Sequence, residues 1–154
     1  MKNIKIVDTN EYLTTLRELV QEGKIVSLLI TGNSMSPFLV NQRDYVYFKQ
    51  PDRPLRRGDI VFYQRDDGHF VMHRIYQVRE ENGIRIYDIV GDNQSEIEEG
   101  IREDQIFGII TQVKRNGKMI QPGDFWWGFF AKIWPVVLPF RKSIVNIYSG
   151  LRKR

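Results

Sequence analysis

Hydrophobic positions near the start of the chain recur with a helical period. Leu13, Leu16, Leu19 and Val20 fall three and four residues apart, the spacing that lines one face of an α-helix. Asp8 and Glu11 have the separation of a capping box, and Gly23 stands where a helix-terminating glycine would. The pattern predicts a soluble amphipathic helix over residues 9–22. From Lys24 onward the apolar positions come in short runs rich in β-branched and aromatic residues. Ile25–Thr31, Asp44–Lys49, Asp59–Gln64, His69–Arg79, Ile84–Val90, Ile106–Lys114 and Lys118–Ile120 read as strands. Asp66-Asp67-Gly68, Glu80-Glu81-Asn82-Gly83 and Asn116-Gly117 are turn signals between them. Glu96, Glu98 and Glu99 read as a solvated acidic run. The expected fold class is mainly β, a β-rich α+β domain with a largely antiparallel sheet.

The last segment breaks this texture. Residues 125–140 hold all three tryptophans, four of the nine phenylalanines and two prolines. That is short of the roughly 20 apolar residues a membrane-spanning helix needs, and Lys132 interrupts it. Charge partitions the same way. The net charge is +4, but residues 125–154 carry six bases and no acid, leaving 17 bases against 19 acids, a net −2, in residues 1–124. The sequence therefore divides into a helical segment 1–23, a β domain 24–124 and an aromatic, basic tail 125–154. Two readings of the tail stand open: a cap that closes the β core, or a peripheral contact with an anionic membrane surface. Its bases flank apolar residues rather than forming one stripe, so nucleic acid is not an expected partner. Met1–Val7 is too short and too charged for a signal peptide. The expected location is cytoplasmic, peripheral at a membrane if the tail docks there, with neither a signal peptide nor a transmembrane helix.

With no cysteine and only two histidines, disulfide frameworks, zinc–thiolate sites, iron–sulfur clusters and cysteine nucleophiles are excluded, and no cofactor is expected. Three short stretches carry chemistry. Thr31-Gly32-Asn33-Ser34-Met35-Ser36-Pro37 runs from a strand into a turn that would expose the Ser34 hydroxyl beside free backbone N–H groups. His73 lies within the strand Phe70-Val71-Met72-His73-Arg74-Ile75, where a histidine can serve as a base near neutral pH. Its competitor His69 adjoins a turn. Val90-Gly91-Asp92-Asn93 ends a strand in a turn that would aim the Asp92 carboxylate back at the sheet. Each stretch alone is a weak signal and reads more simply as ordinary turn or strand. In this order they supply a nucleophile, a base and an orienting acid.

Together the boxes resemble a known family. Ser34-Met35-Ser36-Pro37 is similar to the nucleophile box of type I signal peptidases and their LexA-like relatives. Arg57-Gly58-Asp59-Ile60-Val61, Met72-His73-Arg74-Ile75 and Gly91-Asp92-Asn93 resemble the boxes that follow it. The resemblance covers roughly residues 25–115 and implies the twisted antiparallel β architecture of that clan. Bacterial members usually carry lysine where His73 stands; histidine there is similar to the endoplasmic-reticulum and archaeal type. What it implies is a serine endopeptidase with Ser34 as nucleophile, His73 as base and Asp92 as acid. Glu98, or Glu96, stands where the histidine type often places a second acid. The oxyanion would be held by Ser34 N–H, with Gly32 at the position where many members carry a hydroxyl and Thr31 as a helper. Phe38 also departs from the threonine common after the proline. The implied substrate is an extended leader- or signal-like peptide added as a β-strand. The rival is a non-catalytic peptide- or membrane-binding module that kept the fold. A self-cleaving regulator ranks last, because residues 1–24 are too short for a cleavable linker and a DNA-binding region.

Overall fold

The structure, a computed structural model, describes residues 9–140. Helix α1 (Thr9–Gln21) leads into eight strands: β1 (Val26–Leu29), β2 (Asp44–Lys49), β3 (Ile60–Gln64), β4 (Phe70–Glu81), β5 (Ile84–Val90), β6 (Glu98–Arg102), β7 (Ile106–Arg115) and β8 (Lys118–Ile120). The chain then forms α2 (Phe125–Gly128), a π turn (Phe129–Ile133) and 3-10 turns (Trp134–Phe140). Asp8, half of the expected capping box, lies outside the described residues. The other end of α1 closes as its sequence suggests. Gly23 takes φ +91°, its N–H donates to Val20 O, and Lys24 N–H donates to Leu19 O, the paired bonds of a Schellman motif.

All strands join one antiparallel sheet in the order β1-β2-β7-β3-β4-β5-β6, with β8 on β7. The Asn82-Gly83 and Asn116-Gly117 turns both hold positive φ at both residues, the twist that suits two-residue hairpins. The fold is the expected β-rich one with an N-terminal helix. Sequence reading missed β6, which takes up Glu98 and Glu99 as strand residues.

The sheet buries a core on each face. On one, α1 lays Leu16 and Val20 against Val26, Ile30, Val46 and Phe62. On the other, Val61, Tyr63, Ile75, Tyr87, Ile89 and Ile101 pack within the curl of the sheet. The segment after β8 covers the first core: Phe130, Trp134 and Leu138 are buried, and Phe38 packs edge-on against Trp127 and Phe130 with centroids 5.8 and 5.0 Å away. Residues 125–140 are therefore a cap on the β core. Residues 141–154 of the tail lie outside the described residues. No helix among the described residues is long and apolar enough to cross a membrane.

The β4–β5 ladder contains one irregularity that matters below. From the turn it pairs Glu81 with Ile84 through Gln77 with Asp88; it then steps to Ile75 opposite Ile89 and Arg74 opposite Val90. Tyr76 is the extra residue of a β-bulge.

Candidate active site

Ser34 sits in a loop, residues 31–43, that is pinned at its base. Ile30 N–H donates to Asp44 O and Gln42 N–H to Ile30 O, both at 2.8 Å. The Asp44 carboxylate, fully buried, accepts Val40 N–H at 2.8 Å and the guanidinium groups of Arg43 and Arg115 at 3.0 and 3.1 Å. Burial pushes this carboxyl up, but those bonds and the charge of Arg115 outweigh it and hold it below the ordinary carboxylate range. Arg115 also donates to Phe38 O. Met35, Phe38 and Leu39 anchor the loop in the first core.

The front of the loop is tied to the turn after β5. Asn93 N–H donates to Ser34 O at 2.9 Å, and Asn93 Nδ2 donates to Asn33 O at 3.1 Å. The two segments approach so closely that a Cβ on Gly91 would stand 2.5 Å from Ser34 O. Only glycine tolerates this, which gives the Gly-Asp-Asn motif its first residue.

The register brings His73 to the same place. Continuing the β4–β5 pairing one step past Arg74 and Val90 sets His73 across from Gly91. Opposed residues of an antiparallel pair project to the same face, with Cβ atoms about 5 Å apart. The Ser34 backbone thus occupies the space a residue-91 side chain would fill, on the His73 face. Among the described residues the Ser34 hydroxyl and the imidazole make no hydrogen bond, either to each other or to any other group. Burial pushes the imidazole down to about 4, helped by the Arg65 charge and opposed by Glu98 and Asp92. It is neutral at pH 7, the form that accepts a proton. His69, by contrast, is exposed beside its turn.

The expectation that Asp92 steadies this ring is not met. Both Asp92 oxygens are taken by Arg74: Nε to Oδ1 at 2.8 Å and Nη2 to Oδ2 at 2.9 Å, with both side chains buried. Arg74 Nη1 donates to Gly58 O at 2.8 Å, and its guanidinium lies 5.3 Å from the Phe38 ring centre. Alternation along the strands is the physical cause. Arg74, Val90 and Asp92 share one face, and His73 points to the other. Trp134 Nε1 donates to Asp92 O at 2.8 Å, so the capping segment holds the backbone of this turn as well. Gly32 is likewise displaced from its expected part, because its N–H donates to Asn41 Oδ1 at 3.0 Å. Ser34 N–H makes no such bond among the described residues, and Thr31 is exposed.

Glu98 lies on the His73 face, since it pairs with Ile89, which in turn pairs with Ile75. It does not hydrogen-bond the ring. Its carboxylate accepts Tyr63 Oη at 2.8 Å and Arg65 Nη2 at 2.8 Å. Burial pushes it up, and the bonds from Arg65 and Tyr63 bring it below the ordinary value. His73, Arg65, Ile89 and residues 93–98, exposed Glu96 among them, line a cavity of about 550 Å³. Sequence reading missed Tyr63 and Arg65. Their signal was parity, for they fall two and four residues after Val61, the residue that pairs with His73. Among the described residues no cluster of three or more histidine, aspartate or glutamate side chains could hold a metal ion.

A curled, antiparallel β domain with an N-terminal helix, as here, is a serine-peptidase type of fold. The Peptidase S24-like family matches residues 2–114, and the chain belongs to that family. No curated protein matches it.

Proposed function

We propose that the chain is a serine endopeptidase of the histidine-containing, signal peptidase-like type. Ser34 Oγ attacks the peptide carbonyl carbon as its proton passes to an imidazole nitrogen of His73. The tetrahedral oxyanion is met by Ser34 N–H. As the C–N bond breaks, the imidazolium returns the proton to the leaving amine, and water, deprotonated by the same imidazole, then hydrolyses the acyl-enzyme. Glu98 acts here through charge, lowering the cost of the imidazolium from the same face of the sheet, while Asp92 is a positioning residue that fixes the turn under the serine loop.

One observation supports the reading: the Ser34 loop is bonded to the Gly91–Asn93 turn, which the β4–β5 register sets across from His73, and among the described residues neither the Ser34 hydroxyl nor the imidazole is tied up in a hydrogen bond, to each other or to any other group. The substrate is an extended leader- or signal-like peptide. In support, β1 is an outer strand that pairs only with β2 among the described residues and runs directly into the serine loop. Such an edge accepts an added strand.

Ser34→Ala and His73→Ala should each abolish cleavage of a leader-like peptide, and an acylating serine probe should label wild type at Ser34. Full cleavage by either variant removes this mechanism. Peptide binding without labelling or cleavage would favour the non-catalytic module instead.

A further inference from the structure

The capping segment has two faces, and the core uses only one. Trp127, Phe130, Trp134 and Leu138 turn inward. Phe125, Trp126, Ile133, Val136 and Phe140 turn outward, each more than half exposed, from 52% for Ile133 to 74% for Phe125. Five large apolar side chains within 16 residues are thus left without cover among the described residues. This element lies beyond the family match, which ends at residue 114.

The surroundings of this face are cationic. A Cβ on Gly58 would stand 2.6 Å from Ala131 O, so the Arg56-Arg57-Gly58 loop lies against the middle of the segment. The groove of about 920 Å³ that Arg56, Arg57 and Lys132 line with Phe125 holds five basic and three acidic side chains in all, with Lys49 paired to Asp52 and Arg53 to Asp59. The Arg56 side chain is largely exposed and only loosely paired, 4.0 Å from Asp59. The sequence from Phe125 to the end carries six bases and no acid. An apolar stripe edged by arginine and lysine, with aromatic residues at its ends, has the chemistry of a segment that lies in the plane of a lipid interface.

We propose that residues 125–140 dock the protein on an anionic phospholipid surface, with the outward side chains in the acyl boundary and Arg56, Arg57 and Lys132 on headgroup phosphates. The occupant is a bilayer rather than a second copy of the chain, because the face is apolar at its centre and its rim is net cationic: with Lys49 paired to Asp52 and Arg53 to Asp59, Asp124 alone stands against Arg56, Arg57 and Lys132. A second copy would bring like charges together, whereas phosphates complement them. The inward face stays on the core throughout, so docking needs no unfolding of the cap.

Sedimentation of the full chain with vesicles tests this. Wild type should pellet with equimolar phosphatidylglycerol and phosphatidylcholine, remain largely in solution with phosphatidylcholine alone, and be released by high salt. Phe125→Ser/Trp126→Ser/Val136→Ser alters only exposed side chains and should lower partitioning by at least about tenfold. Arg56→Glu/Arg57→Glu should weaken the anionic-vesicle contact alone. Wild type left in the supernatant with the anionic vesicles would overturn the proposal, as would equal pelleting of the triple serine variant. A dimer in sedimentation velocity that the serine variant dissolves would also overturn it, in favour of a second copy on this face. None of these outcomes depends on whether the chain cleaves peptides.

Discussion

Asp92→Asn separates a positioning acid from a catalytic one. The substitution keeps the size of the side chain but removes the only carboxylate bonded to Arg74 among the described residues, and the Arg74 side chain is 2% exposed. A buried ion stripped of its partner costs about 3–5 kcal/mol. At about 2–4 °C per kcal/mol for a chain of this size, the melting temperature should fall by roughly 6–20 °C. Arg74→Met should cost about as much for the converse reason, leaving the carboxylate unpaired and Gly58 O without its donor. The double variant Arg74→Met/Asp92→Asn buries no charge, so it should lose much less than the sum of the two. Urea unfolding followed by tryptophan fluorescence reads all three, since Trp134 donates to the backbone of Asp92 itself. Cleavage by Asp92→Asn, measured where it is fully folded, should stay within a few-fold of wild type. If Asp92→Asn instead unfolds within about 1 kcal/mol of wild type while cleavage collapses, Asp92 is not the structural anion described here.

Further outcomes follow from the same geometry. His73 is held near 4 when folded against about 6.5 unfolded, so between these values the unfolded chain binds the extra proton. Stability from this group is complete above pH 6.5 and falls toward pH 4 by up to about 3 kcal/mol; a titration of urea midpoints should show that loss in wild type and not in His73→Gln. The acid limb of kcat/KM should lie well below pH 6.5, and Glu98→Gln should move it lower still, because the Glu98 charge favours the protonated ring. Gly91→Ala puts a methyl group 2.5 Å from Ser34 O; it should shift the serine loop and depress cleavage far more than it depresses the melting temperature. Trp134→Phe removes one buried 2.8 Å bond and should cost about 1–2 kcal/mol in urea unfolding.

Much of the fold was legible because its turns are chemically marked. Asn82-Gly83 and Asn116-Gly117 name their hairpins, and the strands beside them, Asp44–Lys49, Ile84–Val90 and Lys118–Ile120, have the expected bounds. Strand β6 was hidden because Glu98, Glu99 and Gly100 mask its alternation. Only the ladder shows that Glu98 faces a tyrosine and an arginine. The inward half of the tail reads as a cap only once Phe38 and Asp92 stand beside it, contacts that no periodicity within residues 125–140 contains. Gly32 was misjudged for a similar reason: the side chain that takes its N–H, Asn41, comes nine residues later in an irregular loop. The serine and histidine motifs were readable as motifs. Their mutual placement rests on long-range register, which spacing along the chain does not encode.

The extra residue at Tyr76 has a consequence for how the acid is chosen. Were Tyr76 to take a regular place in the ladder, the pairing of Gln77 with Asp88 would carry on unshifted and set Asp92 directly across from His73, the arrangement the order of the motifs suggests. One residue of slack moves every later partner to the opposite side of the sheet. It hands Asp92 to an arginine and leaves the imidazole to look toward Glu98. In this domain a single bulged residue decides which of two carboxylates shares a face with the imidazole.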